Sequence, residues 1–226
     1  MSLLLNIDTA MDTASVCLAK EGISIAYAEN NDQKNHSAWL HTAVIELLQQ
    51  SGVQFNELTA VGVSIGPGSY TGLRVGLAAA KGFCYALGIP LITINTLEML
   101  AAAVSEEAND NDLICPMIDA RRNEVFTAVY EKSLHERVPA HALVLEKKSF
   151  DATLSTNRMI FCGNGSDKFR QIIQNEHAYF SVTIGNASHL GQLSYKYFLK
   201  KKFTDLAYSE PLYLKEFHGP GNRGIL

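Results

Sequence analysis

Ile7-Asp8-Thr9-Ala10-Met11-Asp12-Thr13-Ala14-Ser15-Val16 joins one apolar strand to another through a polar turn that starts on an aspartate. The same grammar returns at Ile118-Asp119-Ala120-Arg121-Arg122-Asn123-Glu124-Val125-Phe126. Downstream of each copy a strand runs into Gly-x-Gly-Ser, as Ile65-Gly66-Pro67-Gly68-Ser69 in the first half and Cys162-Gly163-Asn164-Gly165-Ser166 in the second. A strand–turn–strand unit repeated with its glycine turn predicts two similar lobes facing each other across a cleft. The turns of each lobe would point into that cleft, an arrangement suited to phosphate.

Outward from the first copy, residues 3–8, 14–19 and 23–29 alternate or run apolar between short turns and predict an antiparallel meander. Leu40, Val44, Leu47 and Leu48 recur at helical spacing within residues 37–50, and Gly52 stops that helix. A short strand, 61–65, breaks at the glycine turn. Ser69 or Thr71 can cap the next helix, which ends at Gly88 before Pro90. That helix is crowded with small residues, Gly72, Gly76, Ala78, Ala79, Ala80 and Gly82. Glycine costs about 1 kcal/mol relative to alanine inside a helix, so something packs very close to this backbone. A strand at 91–94 and a helix from Thr96 complete the first half. The acidic stretch 106–112 predicts a lobe boundary, with one lobe at 1–105 and the other at 106–218. In the second half, strands are expected at 114–118, 125–130, 143–145 and 159–162, and helices at 168–174 and 188–200. The final helix and the strand after it are assigned to the second lobe, with packing back on the first as the alternative. The tail 219–226 has no core-forming pattern and is expected to be mobile. Strands followed by alternating helix and strand, twice over, give an α/β fold.

The 226 residues carry 47% hydrophobic residues and a net charge of −4. Such a chain buries a core and offers no broad basic footprint for nucleic acid. The short runs Arg121-Arg122, Lys147-Lys148 and Lys200-Lys201-Lys202 read as solvated faces. Cys17, Cys84, Cys115 and Cys162 form no CxxC and sit in apolar patterns, so free buried thiols in a reducing compartment are expected. No basic segment precedes the first apolar stretch, which argues against a secretory signal. Arg74, Lys81 and Pro90 interrupt the apolar region 73–94, which therefore reads as helix then strand, not as a membrane span. A cytoplasmic location is expected.

Asp8 and Asp119 stand at strand ends, where a carboxylate can hold a hydrated magnesium ion or orient a nucleophile. The alternative is that each accepts N–H bonds within its own turn. Gly66, Gly68 and Ser69, with Gly163 and Gly165, are candidates to cradle phosphate at a strand–helix junction. No Lys-Ser/Thr pair follows the glycines, so this is not a Walker loop. Arg74, one turn into the helix, can meet phosphate or an acidic partner. His36 and His41 lie five apart, about 140° around a helix, so they do not form a metal pair. No Ser/His/Asp or Cys/His set has a local signature. Trp39 lies off the apolar stripe and reads equally as core or as interface.

Several stretches carry a family resemblance: LLLNIDTAMDTASVCLA (3–19), HSAWLHTAVIELL (36–48), VGVSIGPGSYTGLRVGLAAAKGFCYALGIPLITINTLEMLA (61–101) and PMIDARRNEVFTAVY (116–130). They resemble the bacterial TsaB (YeaZ) family, and FCGNGS and EPLYLKEF extend the likeness more weakly. The resemblance implies a two-lobed, actin-like and Hsp70-like ATPase fold. It implies a role in making threonylcarbamoyladenosine at position 37 of tRNA, as a partner of the paralogous transferase TsaD and not as the transferase. The ATPase TsaE joins the two, and tRNA is met indirectly. The implied pairing surface is the first two helices, here carrying His36, Trp39, Leu40, Val44, Leu47, Gly72, Arg74, Val75, Gly76 and Ala79. No cofactor of its own is implied, ATP or ADP entering only at the junction with the partner. An exposed helix pair also invites a homodimer when the partner is absent. The HxxxH metal pair of the paralogue is missing, and Ala38 stands where many relatives carry an acidic residue. The rival reading is an active ATP-dependent enzyme, an ATPase or kinase of the same fold, built on Asp8, Asp119 and the glycine turns.

Overall fold

The computed structural model describes residues 2–32 and 35–215. The stretch 219–226, expected to be mobile, lies outside the described residues.

Two five-stranded sheets share one topology. In the first, β1 (Leu3–Asp8), β2 (Ala14–Lys20) and β3 (Ile23–Asn30) form the antiparallel meander, and β4 (Ala60–Ser64) and β5 (Leu91–Ile94) add in parallel, in the order β3-β2-β1-β4-β5. In the second, β6 (Leu113–Asp119), β7 (Glu124–Glu131) and β8 (Glu136–Val144) form the meander. β9 (Met159–Cys162) and β10 (Ala178–Phe180) extend it in parallel, in the order β8-β7-β6-β9-β10. The duplicated sentence of the sequence is thus a duplicated sheet, the two-lobed actin-like arrangement. β1 and β4 are covered on both faces and read as nearly continuous apolar runs. β3, at an edge, alternates exposed with half-buried residues along most of its length.

The helices fall into layers. α1 (His36–Ser51) and α2 (Tyr70–Leu87) cover the outer face of the first sheet. α1 stops at Gly52 in the left-handed region, φ 65°. α2 starts where the Ser69 hydroxyl accepts the Gly72 N–H at 3.3 Å, and stops at Gly88, φ 66°. α3 (Thr96–Val104) and α6 (Ala187–Leu199) lie between the sheets, in one core made by both lobes. The short helices α4 (Asp151–Leu154) and α5 (Ser166–Arg170) face the far side of the second sheet, where Phe150, Phe161 and Phe169 pack together.

This layering differs from a cut at residue 105. α3, assigned from sequence to the first lobe, packs on β6, β7 and β9, while α6 packs on β1 to β5. Each inner helix is apolar toward both sheets, so each half of the chain closes the other half's core. Gly62 allows the approach of α6, since a Cβ there would lie 2.1 Å from Ser194 Oγ. After α6 the chain returns along the first sheet, where Thr204 bridges to Leu91 and the Leu212 N–H donates to Ile65 O at 2.7 Å.

Candidate functional site

The paired turns come together as their repetition predicts, but their polar groups are already engaged. Asp8 ends β1 and is 1% exposed. Its Oδ1 accepts from the Ser64 hydroxyl at 2.5 Å and from the Ala10 N–H at 3.1 Å. Burial pushes the carboxyl above its ordinary value, and those two bonds and the nearby His36 offset part of the rise. Gly66 donates its N–H to Thr96 Oγ1 at 3.1 Å, and Ser69 donates its own to Ala10 O at 2.7 Å. A Cβ on Gly68 would fall 2.2 Å from Ala10 O, and one on Gly66 would fall 2.5 Å from Leu212 O. The glycines therefore make room for the chain's own backbone.

The second turn is spent in the same way. Gly165 donates to Met117 O at 3.0 Å, and a Cβ on Gly163 would lie 2.4 Å from that oxygen. Asp119 Oδ1 accepts the Arg121 N–H at 2.6 Å and the Lys168 ammonium at 2.5 Å. Lys168 also reaches Arg122 O at 2.7 Å. A fixed ammonium thus sits against the carboxylate, where a cation-dependent enzyme would need that carboxylate for a metal. Across the cleft, Asn164 Nδ2 stands 3.4 Å from Asp12 Oδ2, so the two turns touch each other. The amides of Gly66 and Ser69 are thus taken by internal acceptors. His36 is buried with Nε2 unpaired, and His41 is exposed on the outer side with its ring 5.7 Å from Phe83. Among the described residues no group of three or more His, Cys, Asp or Glu gathers as a metal site.

The outer face of α1 and α2 has a different character. Leu40, Val44 and Leu47, expected at the pairing surface, instead fill the first lobe's own core because the apolar stripe of α1 turns toward the sheet. His36 is likewise buried, and Trp39 is half-buried at the margin of that core. Gly72 and Gly76 are correctly read as a close approach, but the neighbour is intramolecular. A Cβ would meet Thr9 O at 2.0 Å from Gly72 and Thr9 Oγ1 at 2.3 Å from Gly76. Of the expected residues, Arg74 is exposed, while Val75 and Ala79 line an open groove of about 480 Å³. Ser37 and His41 of α1 and Ala78, Gly82, Phe83 and Ala86 of α2 complete it. The spacing 75-78-79-82-83-86 is a second apolar stripe on α2, legible in the sequence as a helix apolar on two sides. Ile45 and Tyr85 stand exposed on the same pair of helices, Tyr85 at 84%. The Arg74 guanidinium lies 4.6 Å from the Tyr70 ring centroid, and no carboxylate among the described residues pairs with it.

The chain matches a protein-family profile described as "TsaD: tRNA N6-adenosine threonylcarbamoyltransferase" over residues 28–214. It is 33% identical to the Bacillus subtilis "tRNA threonylcarbamoyladenosine biosynthesis protein TsaB" over 76% of this chain and 75% of that protein. It is 25% identical to the Haemophilus influenzae protein of the same name over 94% of this chain and 93% of that one. Among solved structures, YeaZ from Pseudomonas aeruginosa superposes with a TM-score of 0.77 at 25% identity, over 95% of this chain and all of that one. The transferase profile and the TsaB names agree on a TsaD-like scaffold. Within that wider family, the chain belongs to the TsaB (YeaZ) family.

Proposed function

We propose that this protein is a non-catalytic subunit that binds and activates the transferase TsaD in the synthesis of threonylcarbamoyladenosine at position 37 of tRNA. The observation that carries this reading is the contrast between the two halves of the site. The polar groups of the turns are spent internally, whereas α1 and α2 leave an apolar groove uncovered. Monomers rarely leave such a face open without a partner. Small residues along a helix also let a neighbouring helix ridge come close.

On this reading the relatives' names supply the pathway, and the partner's chemistry follows from the groove: apolar at its centre, acidic opposite Arg74. TsaE joins the pair as its ATPase. ATP or ADP enters at the junction with the partner, because the amides of Gly66 and Ser69 are already taken. tRNA is met through the partner, in keeping with the net charge of −4. Without the partner the same groove pairs two copies of this chain about a two-fold axis. The work is done in the cytoplasm, and no helix among the described residues is long and apolar enough to cross a membrane. The rival reading of an active ATPase or kinase meets two opposing facts, a buried hydrogen-bonded Asp8 and an Asp119 already held by Lys168.

The test is in cells. Depleting this chain should lower threonylcarbamoyladenosine in tRNA, measured by mass spectrometry of nucleosides. Restoring the wild type should recover it, and restoring Gly82→Trp, which fills the groove, should not. Unchanged modification in its absence would refute the proposal.

A further inference from the structure

Arg74 is linked through Tyr70 to a residue far along the chain. Tyr70 opens α2, and its ring takes the Arg74 guanidinium at 4.6 Å and the ring of Tyr213, stacked, at 4.9 Å. Arg74 lies four residues after Tyr70, so the two side chains share one helical face. Tyr213 comes from the segment that follows α6 and runs back over the glycine turn. That segment is tied down at several points. Thr204 bridges to Leu91, and Lys81 of α2 donates to Ala207 O and Ser209 O, each at 3.2 Å. The Leu212 N–H donates to Ile65 O at 2.7 Å, and Lys215 pairs with Glu124 of the second lobe. Gly66 has no room for a side chain because Leu212 O lies there. The last described stretch of the chain is therefore a strap laid along the docking helix, and Tyr213 is its contact with the first residue of that helix.

We infer that Tyr213 is a positioning residue for the docking face: its ring fixes Tyr70, and Tyr70 holds the Arg74 guanidinium outward toward an acidic side chain of the partner. The inference rests on the docking role proposed above and adds a residue outside the two docking helices. An arginine on a surface helix samples many rotamers, and an aromatic face restricts them before binding, so less ordering remains to be done when the partner arrives. Tyr213 itself is 39% exposed and contributes little to the core, so its replacement should spare the fold.

Two measurements separate this inference from the docking proposal. In the isolated chain, nuclear relaxation of the Arg74 Nε–H should report an ordered side chain in wild type and in Tyr213→Phe, and a mobile one in Tyr213→Ala, with unchanged melting temperature. Toward purified TsaD, Tyr213→Ala should weaken binding by roughly three- to tenfold, Tyr213→Phe by less than about twofold. Tyr213→Ala should add almost nothing to Arg74→Ala in the double variant, since Tyr213 acts only through Arg74. Equal Arg74 order in all three proteins, or losses that multiply in the double variant, would overturn the positioning role. Failure of the wild type to bind TsaD would sink the docking proposal instead, and the relaxation result would still decide what Tyr213 does to Arg74.

Discussion

Asp8 reads in the sequence as a candidate for a phosphate or magnesium site, and in the fold it is buried and hydrogen-bonded within its own lobe. Its carboxyl is held above the ordinary value of 3.8 by burial. The folded state therefore binds that proton more tightly than the unfolded chain. Stability falls as pH rises from the ordinary value through the raised one, and the cost persists above it. Asp8→Asn keeps the oxygen that accepts from Ser64 and Ala10 and removes the charge. It should raise the melting temperature at pH 8, by roughly 2–4 °C for each ~1 kcal/mol recovered in a chain this long. The gain should shrink as pH falls toward 4. A lower melting temperature at pH 8 would contradict this account of Asp8. Asp119 differs, because its partner is a cation. Lys168→Met removes that ammonium and its backbone contacts and should cost about 1 kcal/mol in urea unfolding, given the partial exposure of the pair. The sequence displayed both aspartates by their repetition. It hid their partners, since Ser64 and Lys168 lie 56 and 49 residues away.

α2 shows how far a helix can be read before it is seen. Its start, its stop and the crowding against its backbone follow from Ser69, Gly88 and the small residues. The direction of that crowding does not. Gly72 and Gly76 face Thr9, while a Cβ added to Gly82 would meet nothing within 4 Å, and Gly82 lies on the open groove. The glycines are alike in sequence and opposite in placement because 3.6 residues per turn sends positions six and ten apart to different sides. Opposite responses to alanine follow. Gly76→Ala should destabilise by about 1–3 kcal/mol through overpacking. Gly82→Ala should stabilise by up to about 1 kcal/mol through helix propensity. Urea midpoints check both, and equal shifts would contradict the assignment of faces. Leu40, Val44 and Leu47 carry the same lesson, since an apolar stripe marks a face without saying whether its cover is the chain itself or a partner.

At the scale of the molecule, the repeated Asp-turn and glycine-turn words gave two similar lobes, and the strand order they share came from the structure. Those words left α6 open between the lobes and kept α3 with the first, because both helices are apolar toward two neighbours and periodicity does not choose between sheets. The strap was expected as a strand and is instead irregular among the described residues, since its order comes from long-range contacts with β5, α2 and β7. The turns of the two lobes touch across the cleft, and a groove stays open on the outer helices. The most direct test is the mass in solution of this chain mixed with TsaD, by light scattering, for wild type and Gly82→Trp. The account predicts a heterodimer for the wild type and separate proteins for a folded Gly82→Trp. A heterodimer that forms equally well with the groove filled would contradict it.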